Sequence, residues 1–158
     1  MIAHISVVRS NDDFYDRVIG WYSRSPYVHA EFHWPLDQRL PEGFLGAQPK
    51  GGVAIRPADY LGSVARDTFV AQLSDTQYAK LQAWLRSQVG KPYDFRAIAG
   101  MALQFLNKDS GDNAWFCSEL VYYGLANVGY PLLREPMKQA DTITPRDVAV
   151  SLQIAQVA

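Results

Sequence analysis

Asn113-Ala114-Trp115-Phe116-Cys117-Ser118-Glu119-Leu120-Val121 holds the only cysteine of the chain and reads as the opening of a buried helix. Asn113 is a residue type that favours helix caps, and an apolar run follows it to about Asn127, where Gly129 offers a left-handed stop. Cys117 is therefore expected in the first turn. Unpaired backbone N–H groups and the positive end of the helix dipole gather there. Such a setting favours thiolate over thiol and makes a cysteine nucleophilic. A lone cysteine can also be an inert small hydrophobe, so the groups around it decide its role.

Working outward, the second half of the chain is mainly helical. Ser74-Asp75-Thr76-Gln77 matches a capping box, and Tyr78, Leu81, Leu85 and Val89 follow as one stripe. Gly90-Lys91-Pro92 ends that helix. Residues 94–106 read as a second, mostly apolar helix and 107–113 as a polar loop. Thr144-Pro145-Arg146-Asp147 starts a last helical turn.

The first half is mainly extended. Ile2 to Arg9 is rich in β-branched residues and reads as a strand. Ser10-Asn11-Asp12-Asp13 is a helix start, after which Phe14, Val18, Trp21 and Tyr22 recur at helical spacing, and Ser25-Pro26 stops the helix. Tyr27 to Trp34 is a second strand. Residues 43–48 and 52–56 form a hairpin around Pro49-Lys50-Gly51, and 67–73 is a further strand. The expected class is α+β, with no repeat and no interdomain linker.

Composition narrows the functional classes. A chain of 158 residues with 48% apolar and 20% charged residues makes one domain with its own core. A net charge of −1 offers nothing to nucleic acid. One cysteine excludes an internal disulfide, and no zinc-type Cys/His spacing occurs. No apolar run reaches the 18 residues of a membrane span, and the opening Met1-Ile2-Ala3-His4-Ile5-Ser6-Val7-Val8-Arg9 is too short for a signal peptide. The expectation is a cytoplasmic protein without stable membrane insertion, unless a host or phage lysis system releases it.

A cysteine nucleophile needs a base and a group that orients the base. His4 has no acidic neighbour and reads as structural. His29, Glu31 and His33 alternate with Val28, Ala30 and Phe32, so they share one face of a strand. That face suits an active site, a plain surface strand, or a metal. Metal binding fits poorly, because His29 and His33 lie ~13 Å apart along a strand, too far to share one ion. No metal site is expected.

Gly90-Lys91-Pro92-Tyr93-Asp94, then a helix, then Phe116-Cys117-Ser118-Glu119-Leu120-Val121 resembles the G-x-P-Y … C-S-x-L-V signature of the NlpC/P60 papain-like cysteine peptidases. Most of that family places cysteine before histidine. Here the His29 strand comes first. This order resembles the circularly permuted branch, with its YiiX/YaeF-like amidases and lecithin:retinol acyltransferase-like enzymes. Val28-His29-Ala30-Glu31, followed by Gly51-Gly52-Val53, resembles that branch's histidine strand and return strand. The likeness runs in order over residues 27–121.

The resemblance implies a single α+β domain over 1–158, a circularly permuted papain-like NlpC/P60 fold with a largely antiparallel sheet packed on the cysteine helix. It implies Cys117 as nucleophile, His29 as base, and Tyr93 beside the substrate with a phenol able to face an oxyanion. The orienting group is left open. The family carries it on the strand after the histidine strand, where Gln48 is the suitable side chain. Glu31 is the alternative on the histidine's own face. Ser118 and Glu119 are expected to be structural. The implied function is thiol hydrolysis of an amide, in a cell-wall peptide or an N-acyl amide, without a cofactor. The alternatives are a catalytically inactive binding or structural module of the same fold, and an acyltransferase using the same residues. The oligomeric state is not legible.

Overall fold

The β-branched residues of the first segment form strand β1 (Ile2–Arg9), which becomes an inner strand of the sheet. The computed structural model describes residues 1–9, 14–103, 113–133, 143–151 and 154–157. After β1 come helix α1 (Phe14–Ser23), strands β2 (Tyr27–Trp34), β3 (Gly43–Gln48), β4 (Gly52–Pro57) and β5 (Arg66–Gln72), then helices α2 (Asp75–Gln88), α3 (Phe95–Leu103), α4 (Cys117–Ala126) and α5 (Pro145–Ala149), and a short strand β6 (Ala155–Val157). The expected helix start at Ser10–Asp13, the end of the apolar helix at 104–106 and the loop at 107–112 lie outside the described residues.

The strands form one antiparallel sheet in the order β4-β3-β2-β1-β5-β6. Register settles which side chains share a face. Ile5 stands opposite Phe32 and Phe69, and Phe32 opposite Leu45, so these four buried residues share the apolar face. Ser6 stands opposite Glu31 on the other face. That second face is not a solvated one: Glu31 is 1% exposed and His33 2%. Sealing both faces removes the plain surface strand from consideration and leaves a buried polar cluster whose members must satisfy one another.

Helix α4 packs on β2 and β3 with nearly its whole surface buried, from Cys117 through Leu125 apart from Tyr123. Gly124 permits the close approach. A Cβ there would meet the Phe32 ring and Leu81 at 3.3 Å. The helix stops where Gly129 adopts φ 73°, a value that disfavours any side chain. Helix α2 opens on the expected capping box, with Ser74 Oγ accepting from Gln77 N–H and Gln77 Oε1 accepting from Ser74 N–H.

Four local expectations change. The cap of α4 is Phe116, not Asn113. Its N–H is taken by the Glu119 carboxylate at 3.1 Å, so the capping-box glutamate works without a side-chain cap from the first residue. Asp94 precedes α3 and accepts the N–H groups of Arg96 and Ala97, so it caps rather than joins the helix. In α1 the inward residue is Ile19, while Phe14 and Trp21 are mostly exposed, because this short helix rests one narrow side on β2 and α3. Val89 leaves the α2 stripe as the C-cap and is 44% exposed. Strand β6 has three residues and no alternation for a sequence pattern to show.

Candidate active site

Strand β2 presents His29 and Glu31 side by side, two residues apart on one face. His29 Nε2 lies 3.1 Å from Glu31 Oε2. Helix α4 brings Cys117, its first residue, beside the same ring, where the sulfur favours the protonated imidazole. Nε2 is engaged by the carboxylate, so Nδ1 is the ring nitrogen open to another partner. The result is a relay of thiol, imidazole and carboxylate. All three are buried, at 1% exposure for Cys117, 8% for His29 and 1% for Glu31.

Burial opposes an imidazolium at His29, but the Glu31 carboxylate and the Cys117 contact outweigh it and hold the ring's pKa well above its ordinary value. Glu31 shows the mirror case. Burial favours its neutral form, yet His29, the Tyr60 hydroxyl and the Arg66 guanidinium keep it below the usual carboxylate range. Arg66 Nε stands 3.6 Å from Glu31 Oε1 and its guanidinium lies 4.6 Å from the centre of the Phe44 ring.

Gly46 makes this pairing sterically possible. It sits on β3 beside Glu31, and a Cβ there would come to 2.9 Å from Glu31 Cβ and 3.4 Å from His29 Nε2. Gly46→Ala is therefore expected to destabilise the fold by about 1–3 kcal/mol, as overpacking does, and to push the His29–Glu31 pair apart. Chemical denaturation measures the first effect. Unchanged stability would mean that Glu31 yields freely and is not held.

The remaining sequence candidates are placed as follows. Gln48 reaches the Tyr60 hydroxyl at 2.7 Å rather than the imidazole, so of the two candidate orienting groups Glu31 is the one bonded to the His29 ring. Tyr93 is buried, and its segment is tied to the residue two before Cys117 by Trp115 N–H to Pro92 C=O and Asp94 N–H to Trp115 C=O. Ser118 donates to the Ile143 carbonyl. His33 has both nitrogens engaged, Nδ1 donating to Gln38 C=O and Nε2 bonded to the Ser6 hydroxyl. Burial lowers its pKa to about 4, so it is neutral near pH 7. His4 donates to Leu36 C=O and stacks on His33.

His29 and Tyr93 also line a cavity of about 180 Å³. Its buried floor is Val8, Ile19, Val28, His29 and Tyr93, and its partly or fully exposed rim includes Gln48, Pro49, Lys50 and Leu61. Sequence reading missed Tyr60, Arg66 and Gly46. A glycine inside a strand pattern is a signal of close approach and pointed to Gly46. Nothing local marks Tyr60, which lies in the β4–β5 loop and meets Glu31 only through the fold.

Fold and site together define an α+β protein with a cysteine at a helix N-terminus, joined to a buried His–Glu pair. No protein-family model and no curated protein matches the chain. Among solved structures, the chain is similar to the crystal structure of YiiX from Escherichia coli O157:H7, with a TM-score of 0.72 and 20% identity over 100% of this chain and 96% of that one. The fold is therefore YiiX-like. That structure is described as a metalloprotein. The donors among the described residues do not fit a metal ion. Glu31 faces Arg66, both His33 nitrogens are hydrogen-bonded, and among the described residues no three His, Cys, Asp or Glu side chains are grouped to hold one. Nor is any helix among the described residues long and apolar enough to cross a membrane.

Proposed function

We propose that the protein is a thiol hydrolase of amide bonds, built on a circularly permuted papain-like arrangement, with Cys117 as nucleophile, His29 as base and Glu31 as the orienting group. The observation that carries this assignment is Cys117 at a helix start beside the His29 ring, which is itself hydrogen-bonded to Glu31. The Cys117 sulfur attacks the amide carbonyl carbon, and the imidazolium of His29 gives its proton to the departing amine. Water then attacks the thioester, His29 takes its proton, and the acid leaves as the thiolate is restored. The Cys117 N–H and the Tyr93 phenol are the proposed donors to the oxyanion.

The cavity lined by His29 and Tyr93, with Cys117 beside the His29 ring and not in its lining, is the proposed acyl site, and its size supports a compact acyl group. Some 180 Å³ equals about six water volumes of ~30 Å³. It lies below the ~300–1,000 Å³ of pockets for drug-sized ligands. A single residue of a cell-wall peptide or a short N-acyl group matches that volume and the apolar floor, whereas a long lipid chain exceeds it. Among p-nitroanilides, short or aromatic acyl groups are expected to show kcat/KM at least tenfold above palmitoyl. The reverse order would remove the cavity as the acyl site. Absence of turnover across peptide and N-acyl panels, together with slow alkylation of Cys117, would leave a binding module of the same fold.

A further inference from the structure

We infer that Tyr60 is a positioning residue of this site: its hydroxyl, itself held by Gln48, fixes the Glu31 carboxylate and through it the hydrogen-bonding state of His29. The inference rests on the thiol-hydrolase assignment and extends it to a loop residue outside the strands and helix that carry the relay.

The hydrogen bonds have a direction that elementary donor counting supplies. A phenol has one proton. Gln48 Nε2 can only donate, so at 2.7 Å it gives a proton to the Tyr60 oxygen. The Tyr60 proton must then go elsewhere. Glu31 Oε2 lies at 2.5 Å and His29 Nε2 at 3.5 Å, so the carboxylate takes it. Burial and the neighbouring Glu31 charge raise the pKa of the phenol far above its ordinary value, so it remains a donor. Oε2 accepts from His29 as well. The carboxylate can only accept, so the proton in that bond stays on Nε2, and Nδ1 is the nitrogen that gains and loses the second proton. The chain runs from Gln48 to Tyr60 to Glu31, and from His29 to Glu31.

The same geometry explains how an almost fully buried carboxylate stays charged. An unpaired buried charge is strongly unfavourable. Around Glu31 stand His29 and His33 from β2, Arg66 from β5 and the Tyr60 hydroxyl. Arg56 of β4 faces the Tyr60 ring, and Cys117 of α4 faces His29. Arg66 stands at 3.6 Å, beyond a hydrogen bond, and Glu31 Oε1 has no hydrogen-bond partner. Among the described residues, Tyr60 and His29 are thus the two side chains that hydrogen-bond this carboxylate. Tyr60 does so without bringing charge, so it can hold Glu31 ionised without competing as a cation for the thiolate.

The test needs no substrate. Iodoacetamide alkylation of Cys117 is followed against pH in the wild type, Tyr60→Phe and Gln48→Ala. Phenylalanine keeps the ring against Phe44 and removes only the hydroxyl. Losing a donor to a carboxylate raises the pH at which it takes a proton. Once Glu31 is neutral it no longer supports the imidazolium that pairs with the thiolate. The acid limb of the alkylation profile is therefore expected to move upward by about one pH unit in Tyr60→Phe, with a smaller shift in the same direction in Gln48→Ala. On an accepted amide, kcat should fall about 10- to 100-fold with KM within about twofold, as for other groups that orient through a second residue. A Tyr60→Phe limb that coincides with a fast wild-type profile overturns the positioning role. Slow wild-type alkylation at neutral pH overturns the thiol assignment beneath it. If Tyr60→Phe fails to fold by circular dichroism, the Gln48→Ala limb decides alone, and a coincident limb there overturns the role.

Discussion

Cys117→Ala is expected to abolish hydrolysis of any accepted amide and all iodoacetamide labelling, while leaving the protein folded. The side chain is buried, and the substitution removes one sulfur atom. A loss that small leaves a small void and costs on the order of 1 kcal/mol. The backbone N–H groups of the α4 start remain, so substrate affinity should survive and the variant should still protect the cavity. Turnover has no route without the sulfur, because the amide carbonyl then meets no nucleophile but water. The remaining helix N-terminus and cavity give at most the weak residual catalysis of a site stripped of its nucleophile. Liquid chromatography of an amide panel reads the loss, and a melting curve shows that the fold is kept. Retained turnover in Cys117→Ala would rule out the thiol as nucleophile.

His29→Ala is expected to be nearly as damaging. In the proposed mechanism thiol and imidazole act as one unit, so losing either should remove most of what both supply. The direction with pH follows from the ring's raised pKa. Glu31 and the Cys117 contact hold His29 as an imidazolium above the ordinary histidine range. On the proposed mechanism, alkylation near pH 7 draws on the sulfur paired with that cation. Without the ring that pairing is gone, and labelling at pH 7 should drop about tenfold or more, each tenfold corresponding to about 1.4 kcal/mol. Labelling should recover as pH rises, since hydroxide then does what the imidazole did. Stability has a sign of its own. Below the pKa of an unfolded histidine, about 6.5, the raised His29 contributes stability, and that contribution fades as pH climbs through its higher folded value. The variant should therefore lose more stability relative to wild type at pH 6 than at alkaline pH. Equal labelling of wild type and His29→Ala at pH 7 would show that the ring does not activate the sulfur.

Much of the scaffold was readable in one dimension, because the forces that make it are local. Strand β1 follows from its β-branched run, and α2 from the Ser74–Gln77 box. The end of α4 follows from a glycine that tolerates φ 73°. Alternation put His29, Glu31 and His33 on one face without knowledge of what lay opposite. The start of α4 was less legible, since the capping partner is Glu119 reaching back to a backbone N–H rather than a polar side chain at the first position.

By itself, the sequence determined the α+β class, the strand carrying His29 and Glu31, and the helix whose first turn carries Cys117. Each depends on side-chain period, caps and turn residues within a few positions of one another. Only the tertiary structure decided that Glu31, not Gln48, touches the imidazole, that His33 is spent on Ser6 and Gln38, and that Tyr60, Arg66 and Gly46 complete the cluster. Those contacts join residues 2 to 35 positions apart, from Glu31 against His29 to Arg66 against Glu31. Most rest on sheet register, on loop closure over the sheet, or on α4 meeting the end of β2. No local pattern encodes a hydroxyl in one loop arriving within hydrogen-bond reach of a carboxylate two strands away. Burial of both sheet faces forces that arrival, because a charge enclosed there persists only where the fold supplies its partners.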